Sequence, residues 1–306
     1  MSTSRTLRLN ILLPVMIVQQ TFGALCFPIS KYGLAIIPPF TFAFFRFLLA
    51  SAVLLLISRL RSGQTAISPA DRRKIWINGA IIIWVNQTLY LWGQSLTSAG
   101  HGSILFATTP IWVFLFAIYL LKEKLHWRRA VGTAIALAGA LSIMLSGAIV
   151  IGHEYLIGDF IVLISVWAWA AYMILSKPLV EKYGAIRITA YSLAAGALLY
   201  TPFGLYWALQ FDYSQATVGA WLSVAYMAIG SSVVSYVLLL WVLKHISASR
   251  LAVYQNIQPV IATSVAFVML GERPGLPFFI GGAIVLAGVL ITEIGNEKSG
   301  GEAALG

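Results

Sequence analysis

Ten apolar segments of about 20 residues fill most of the chain, separated by short connections. A helix of about that length crosses the hydrocarbon core of a bilayer, where the backbone must satisfy its own hydrogen bonds. The chain is 59% hydrophobic and only 10% charged, whereas a soluble domain carries about 25% charged residues. The composition therefore predicts a polytopic membrane protein. The predicted spans are Leu9–Ser30, Pro38–Ser58, Ile75–Leu96, Ala99–Leu121, Arg129–Ile149, Gly158–Val180, Ala185–Leu209, Val218–Leu243, Ser247–Leu270 and Leu276–Ile294.

Part of the sequence occurs twice. Residues 98–141 align without a gap on residues 247–290 at a shift of 149 residues. Thirteen of the 44 aligned positions are identical, and composition alone does not place a proline, a glutamate and two glycines in one frame. We therefore predict two units, residues 1–155 and 156–306, the second ending in a disordered tail. The matched residues are Pro110 with Pro259, Glu123 with Glu272, Gly132 with Gly281, and Gly139 with Gly288.

A second, shorter recurrence supports the same division. The tripeptide Lys31-Tyr32-Gly33 follows the first span, and Lys182-Tyr183-Gly184 follows the sixth. Each unit then contains five spans, and because five is odd, one unit must be inverted relative to the other. The predicted fold class is an all-α membrane protein of ten transmembrane helices in two inverted five-helix repeats.

Positive charge is distributed unevenly between the two sides of the predicted bundle. Seventeen of the twenty Lys and Arg residues lie on the side that holds both termini, and two lie on the other. This bias predicts that both termini lie in the cytoplasm. We expect the protein to lie in the bacterial inner membrane. It also accounts for the net charge of +10 without a nucleic-acid partner.

The residues matched between the halves resemble the EamA repeat of the drug/metabolite transporter superfamily. In that repeat, a span with a central proline is followed by a glutamate and by a span rich in glycine and alanine. Arg46 in the second span also matches the pattern. The resemblance covers about residues 9–294 and implies two inverted five-helix halves and secondary transport of small metabolites. Within the superfamily, the chain is similar to YddG-type exporters of aromatic and other neutral amino acids.

Polar and aromatic side chains recur at helical spacing on several predicted spans, and in lipid such a stripe must face protein or water. Asn86, Tyr90 and Gln94, for example, lie on one face of the third span. These stripes either bind a substrate or form hydrogen bonds between helices. The candidate substrate-binding residues are Gln20, Asn86, Tyr90, Gln94, Trp169, Tyr172, Ser232, Tyr254, Gln255, Asn256 and Gln258.

Two prolines occupy matching positions within the fourth and ninth spans. Pro110 and Pro259 each remove a helical hydrogen bond, which frees the carbonyls of Phe106 and Gln255. A freed carbonyl can accept a hydrogen bond from a substrate ammonium group. The alternative is a kink that serves packing alone.

Arg46 is the one charge well inside a predicted span, which makes it a functional candidate. Two hypotheses remain open for it. It either holds a substrate carboxylate or ties neighbouring helices together as a structural clamp, and the family pattern favours the clamp.

Several types of chemistry lack the residues they need. No Asp or Glu lies deep in a predicted span, no phosphate-binding loop is present, and no His and Cys cluster suits a metal. The sequence therefore predicts no enzyme, no metal and no cofactor.

The predicted function is a facilitator or exporter of small molecules, with neutral amino acids favoured, working by alternating access as a monomer or homodimer. A carrier of nucleotide sugars, other metabolites or drugs remains an alternative, as does a non-transporting scaffold or membrane enzyme.

Overall fold

The computed structural model describes residues 3–60, 66–97, 102, 105–122, 127–145, 155–258, 261, 276, 279–288 and 290–291. Within these ranges every regular element is a helix, so the all-α prediction is confirmed. Five helical stretches are each long and apolar enough to cross a bilayer: Ile11–Leu34, Pro39–Arg59, Leu156–Tyr183, Ala185–Gln210 and Val218–His245.

The helices follow the ten predicted spans. The first span consists of Thr3–Ala24 and Cys26–Leu34, the second of Pro39–Arg59, and the third of Pro69–Ala80, Ile81–Thr88 and Leu89–Leu96. The fourth to seventh are Thr109–Leu121, Trp127–Leu145, Leu156–Tyr183 and Ala185–Gln210. The eighth consists of Val218–Tyr226, Met227–Ser235 and Tyr236–His245, the ninth begins with Ala248–Gln255, and the tenth includes Phe279–Gly288.

Local sequence signals set where several spans begin and end. Ser68, Thr217 and Ser247 each accept a hydrogen bond from a backbone N–H in the first turn of the third, eighth and ninth spans. Such caps satisfy N–H groups that a helix start leaves without a partner. Gly184, at φ 84°, ends the sixth span and allows the seventh to begin at once.

The second and seventh spans pack antiparallel and join the two halves. The Tyr200 hydroxyl near the end of the seventh span donates to the carbonyl of Phe40 at the start of the second, over 3.1 Å. Gly204 lies against Phe44, so closely that a Cβ atom on the glycine would be 2.8 Å from the ring. The start of one helix therefore meets the end of the other, as inverted halves require.

The fifth and tenth spans cross where the repeated glycines lie. A Cβ atom on Gly139 would be 2.7 Å from the carbonyl oxygen of Gly281, and one on Gly288 would be 2.6 Å from that of Gly132. The 149-residue shift converts one contact into the other, since it takes Gly139 to Gly288 and Gly132 to Gly281. The two helices run antiparallel, because the later glycine of the fifth span meets the earlier glycine of the tenth, and the earlier glycine of the fifth meets the later glycine of the tenth. A two-fold axis across the helices produces this arrangement, so the predicted inversion is confirmed.

Two lysines make equivalent contacts at opposite faces of the bundle. Each ammonium group donates to two carbonyls at the end of a helix, the third span for one lysine and the eighth span for the other. The end of a helix would otherwise leave these carbonyls without partners. The accepting residues of one half are those of the other shifted by 149 positions. The bonds run from Lys31 Nζ to the carbonyls of Gln94 (3.0 Å) and Thr97 (2.7 Å), and from Lys177 Nζ to those of Leu243 (3.0 Å) and Ile246 (2.9 Å).

The counterpart of Lys31 by contact is therefore Lys177, and not the Lys182 that the recurring tripeptide suggests. Lys182 instead donates to Asp71 at the start of the third span, over 2.6 Å, and the Tyr183 hydroxyl donates to the same carboxylate over 2.8 Å. These bonds fix the third span to the end of the sixth.

We predict that Gly139→Leu destabilises the protein. A Cβ atom at this position would already lie 2.6 Å from the backbone nitrogen of Val285, and overpacking typically costs about 1–3 kcal/mol. The melting midpoint of the purified protein in detergent should fall. Ala138, the preceding residue, is exposed, so Ala138→Leu adds a similar volume towards lipid and is the matched control. Equal midpoints for the two variants would contradict the close crossing.

Candidate functional site

A cavity lies among spans from both halves. The empty space of the cavity, together with the part that is open to solvent, measures about 590 Å³. Its lining combines one cation, several amides and hydroxyls, and a set of aromatic rings. The lining residues are Gln19, Gly23, Cys26, Phe27, Arg46, Gln87, Tyr90, Phe106, Thr109, Trp169, Met227, Ser231, Ser235, Tyr236, Gln255 and Gln258.

The third and eighth spans are π-helical where they border the cavity, over Ile81–Thr88 and Met227–Ser235. A π-helix has wider turns than an α-helix and is frequent at functional sites. Inside each segment a hydroxyl reaches back five residues to a carbonyl. Thr88 donates to Ile83 over 2.7 Å, and Ser232 donates to Met227 over 3.0 Å. The two halves therefore present the same local irregularity to the cavity.

Arg46 brings a positive charge to the cavity from the second span. Only 1% of the residue is exposed. Its Nε donates to Ser232 Oγ over 3.0 Å and its Nη2 to Ser231 Oγ over 3.2 Å, so the side chain bridges the two halves. The guanidinium carbon also lies 4.8 Å from the centre of the Phe47 ring. These contacts support the predicted clamp.

The same guanidinium group also leaves one donor unused. Its Nη1 is buried and has no hydrogen-bond partner among the described residues, and within that part of the chain no carboxylate pairs with Arg46. A buried cation without a counter-ion is costly. The clamp hypothesis explains two of the three guanidinium nitrogens, and the third is available to an anion in the cavity.

Two glutamines supply acceptors at the cavity wall. Gln19 donates through Nε2 to Ser235 Oγ over 3.1 Å, and Gln255 points its Nε2 at the sulfur of Met173, 3.8 Å away. The Oε1 atoms of both glutamines are buried and have no partner among the described residues. The cavity therefore offers free carbonyl oxygens as well as a free donor.

Aromatic rings form two groups around the cavity. In one, Trp169 contacts Tyr236, with ring centres 5.2 Å apart. In the other, Tyr90 lies edge-on to Phe106 at 5.4 Å and to Phe27 at 6.1 Å. The Tyr90 hydroxyl shares a hydrogen bond of 3.1 Å with Ser30. These walls suit an apolar or aromatic group on a ligand.

Five of the residues singled out in the sequence line the cavity: Arg46, Tyr90, Trp169, Gln255 and Gln258. Two others support them from behind. The ring centres of Tyr172 and Trp169 are 6.0 Å apart, and the hydroxyl of Ser232 accepts a hydrogen bond from Arg46.

The remaining candidates lie outside the lining. Asn86 is turned towards the sixth span, where it donates to the carbonyl of Ser165 over 2.7 Å. The side-chain oxygen of Gln94 lies against Gly102. Gln20, Tyr254 and Asn256 are buried within the bundle.

The structure modifies the interpretation of Pro110. This residue lies in the first turn of the helix Thr109–Leu121, after a break at Thr108, so the helix begins beside the proline. The carbonyl of Phe106, which the proline was expected to free, accepts a hydrogen bond of 2.6 Å from Thr109 Oγ1. Pro259 lies outside the described residues.

Several lining residues lie on polar faces that the sequence shows, although they are not among the candidate substrate-binding residues. Gln19, Gly23 and Cys26 fall on one helical face, and Ser231 and Ser235 are four residues apart. Gln87 lies next to the selected Asn86. Its position follows from the π segment, which changes the residues per turn that the sequence analysis assumed.

Comparisons with known proteins agree with this architecture. A model of the EamA-like transporter family matches residues 12–145 and 156–294. An uncharacterized transporter of Archaeoglobus fulgidus is 30% identical over 269 residues, which cover 86% of this chain and 90% of the relative. The uncharacterized transporter YetK of Bacillus subtilis is 28% identical over 276 residues, covering 88% and 83%.

A probable terminal-alkyne amino-acid exporter of Streptantibioticus cattleyicolor is 30% identical over 222 residues, which cover 72% of this chain and 73% of the relative. A solved crystal structure shares the fold, with a TM-score of 0.73 at 19% identity, over 92% of this chain and 98% of its own.

We predict that Ser232→Ala destabilises the protein more than removal of a buried hydroxyl that bonds to an uncharged group. The change removes a hydrogen bond to a buried cation, which is worth about 1.5–3 kcal/mol. The readout is the melting midpoint in detergent. Thr189→Ala is the matched control, since Thr189 is buried and its one hydrogen bond among the described residues goes to Ala185 within its own helix, over 2.9 Å. If the two variants lose equal stability, the hydroxyl of Ser232 does not stabilise Arg46.

Proposed function

The chain belongs to the EamA-like transporter family, and on that premise we propose that it carries neutral amino acids, aromatic ones among them, across the membrane. Transport itself follows from the family. The choice of solute rests on the cavity between the two halves. Rocking of the halves about this cavity exposes it to one side of the membrane and then to the other.

The free Nη1 of Arg46 is the observation that carries the proposal. A carboxylate at this atom would pair with a cation that no carboxylate neutralises among the described residues. Hydrogen bonds between a guanidinium and a carboxylate are strong because both groups are charged. The serine contacts hold the guanidinium in place, so a substrate meets a donor that is already oriented.

The rest of an amino acid finds matching groups in the same cavity. Its ammonium donates to the free Oε1 of Gln19 or Gln255, and the faces of the rings add cation–π attraction. Its side chain packs against Trp169 and Tyr236, or against Phe27 and Phe106. One charged donor, neutral acceptors and an apolar wall together correspond to the three parts of a neutral amino acid.

The name of one relative supports the same substrate class. The protein of Streptantibioticus cattleyicolor described as a probable terminal-alkyne amino-acid exporter is 30% identical to this chain over 222 residues. Nucleotide sugars carry two negative charges, and Arg46 is the one cation that lines the described cavity. This charge balance favours an amino acid over a nucleotide sugar.

The proposal includes how the protein sits and works in the bacterial inner membrane. Residues 1–155 and 156–306 form the two rocking units, and both termini face the cytoplasm. No carboxylate of the described residues lines the cavity, which favours flux down the substrate gradient over tight proton coupling. The working unit is a monomer or a homodimer.

Uptake into proteoliposomes tests the proposal. Labelled phenylalanine and leucine should enter saturably and independently of a pH gradient. Phenylalanine methyl ester, which lacks the carboxylate, should not compete with them. Arg46→Gln should lower phenylalanine flux at least about tenfold, because a hydrogen bond to a charged group is lost. Arg46→Lys, which keeps the charge, should retain part of the flux.

Lys244→Gln is the matched control for loss of one positive charge, since Lys244 is exposed and lies outside the cavity lining. Its flux should equal that of the wild type. Gel filtration of each variant separates loss of transport from loss of folding. Saturable flux of a nucleotide sugar, a purine or a quaternary ammonium drug without any amino-acid flux would overturn the substrate assignment.

A further inference from the structure

The charge of the cavity is unbalanced. Arg46 contributes one positive charge, and no described lining residue is acidic. A neutral amino acid has no net charge, so the cavity stays at +1 when it binds. A monocarboxylate without an ammonium group brings the cavity to zero. In a site of low dielectric, an uncompensated charge is the more costly state.

The free acceptors at the cavity wall do not require a charged donor. The buried Oε1 atoms of Gln19 and Gln255 are neutral amide oxygens. A hydroxyl also donates to such an oxygen, and it is cheaper to remove from water than an ammonium is. A neutral donor next to a carboxylate therefore also matches these oxygens beside Arg46.

We infer that the cavity also binds and carries 2-hydroxy monocarboxylates with an apolar or aromatic side chain. In such an acid the carboxylate pairs with Nη1 of Arg46, the 2-hydroxyl donates to Gln19 or Gln255, and the side chain packs on Trp169 and Tyr236. The inference rests on the proposed function only in its use of Arg46 as the carboxylate partner. It adds a substrate class of a different net charge.

The same chemistry ranks related acids. A 2-oxo acid places a carbonyl oxygen opposite the glutamine oxygens, where two acceptors repel each other. An acid with no group at position 2 leaves the buried acceptors without a donor, which is costly. Phenyllactate should therefore bind more tightly than phenylpropionate, and phenylpropionate more tightly than phenylpyruvate.

Charge movement distinguishes the two substrate classes. Transport of phenyllactate carries one negative charge across the membrane, and transport of phenylalanine carries none. A potential of about 59 mV, positive inside, should raise the equilibrium accumulation of phenyllactate about tenfold, because 59 mV per unit charge corresponds to a factor of ten. The same potential should leave phenylalanine accumulation unchanged.

Labelled phenyllactate and phenylalanine in proteoliposomes, with the potential set by a potassium gradient and valinomycin, test the inference. Protein-free vesicles measure passive entry of the acid. Saturable phenyllactate uptake that follows the potential supports the inference. Phenylalanine uptake without saturable phenyllactate uptake overturns it and leaves the proposed function standing. Phenyllactate uptake alone supports it and overturns the amino-acid assignment. No uptake of either solute by folded protein overturns both.

A charge change at the acceptor tests the physical cause. Gln255→Glu keeps the shape of the side chain and adds the missing negative charge. The ratio of phenyllactate to phenylalanine flux should fall at least about tenfold, since the new charge repels the anion and attracts the ammonium. Gln19→Glu is the second variant, in case the first does not fold. Lys244→Gln is the control and should leave the ratio unchanged. An unchanged ratio in a folded glutamate variant overturns the inference.

Discussion

The contact between Arg46 and two serines connects the features that matter most in this molecule. The guanidinium comes from the second span and the hydroxyls from the π segment of the eighth, so one interaction links the two halves beside the cavity. The π segment makes the contact possible. Its wide turns leave the Met227 carbonyl to accept from Ser232, and in lipid such a carbonyl needs a partner. The clamp, the helix irregularity and the cavity wall therefore depend on one another.

The inverted architecture explains why similar contacts recur at both ends of the bundle, but the cavity is not symmetric. Lys31 and Lys177 anchor equivalent carbonyls at opposite faces, and the glycines of the fifth and tenth spans meet in one register. The 149-residue shift, however, takes Arg46 to Ala195. Only one of the two positions is charged. A substrate carboxylate thus has one place in the cavity, and the two halves contribute different chemistry to it.

The sequence was sufficient for the fold and insufficient for the exact faces of the helices. Segment length and the repeated glycines predict ten spans in two inverted units, because bilayer thickness and helix crossing depend on those features directly. The predicted stripe of Asn86, Tyr90 and Gln94 assumed 3.6 residues per turn. The π segment rotates this face, so Gln87 lines the cavity and Asn86 bonds to Ser165. The period of 3.6 residues assumed for the stripe does not include such a local change of helix type.

Unsatisfied polar atoms at the cavity wall are the strongest physical argument that it has an occupant. Buried polar groups are nearly always paired, and each unpaired group costs about 1–3 kcal/mol. Arg46 Nη1 and the Oε1 atoms of Gln19 and Gln255 are all without partners among the described residues, and all three residues line the same cavity. A ligand with one carboxylate and one adjacent donor satisfies the cation and an acceptor together, and its release restores the cost.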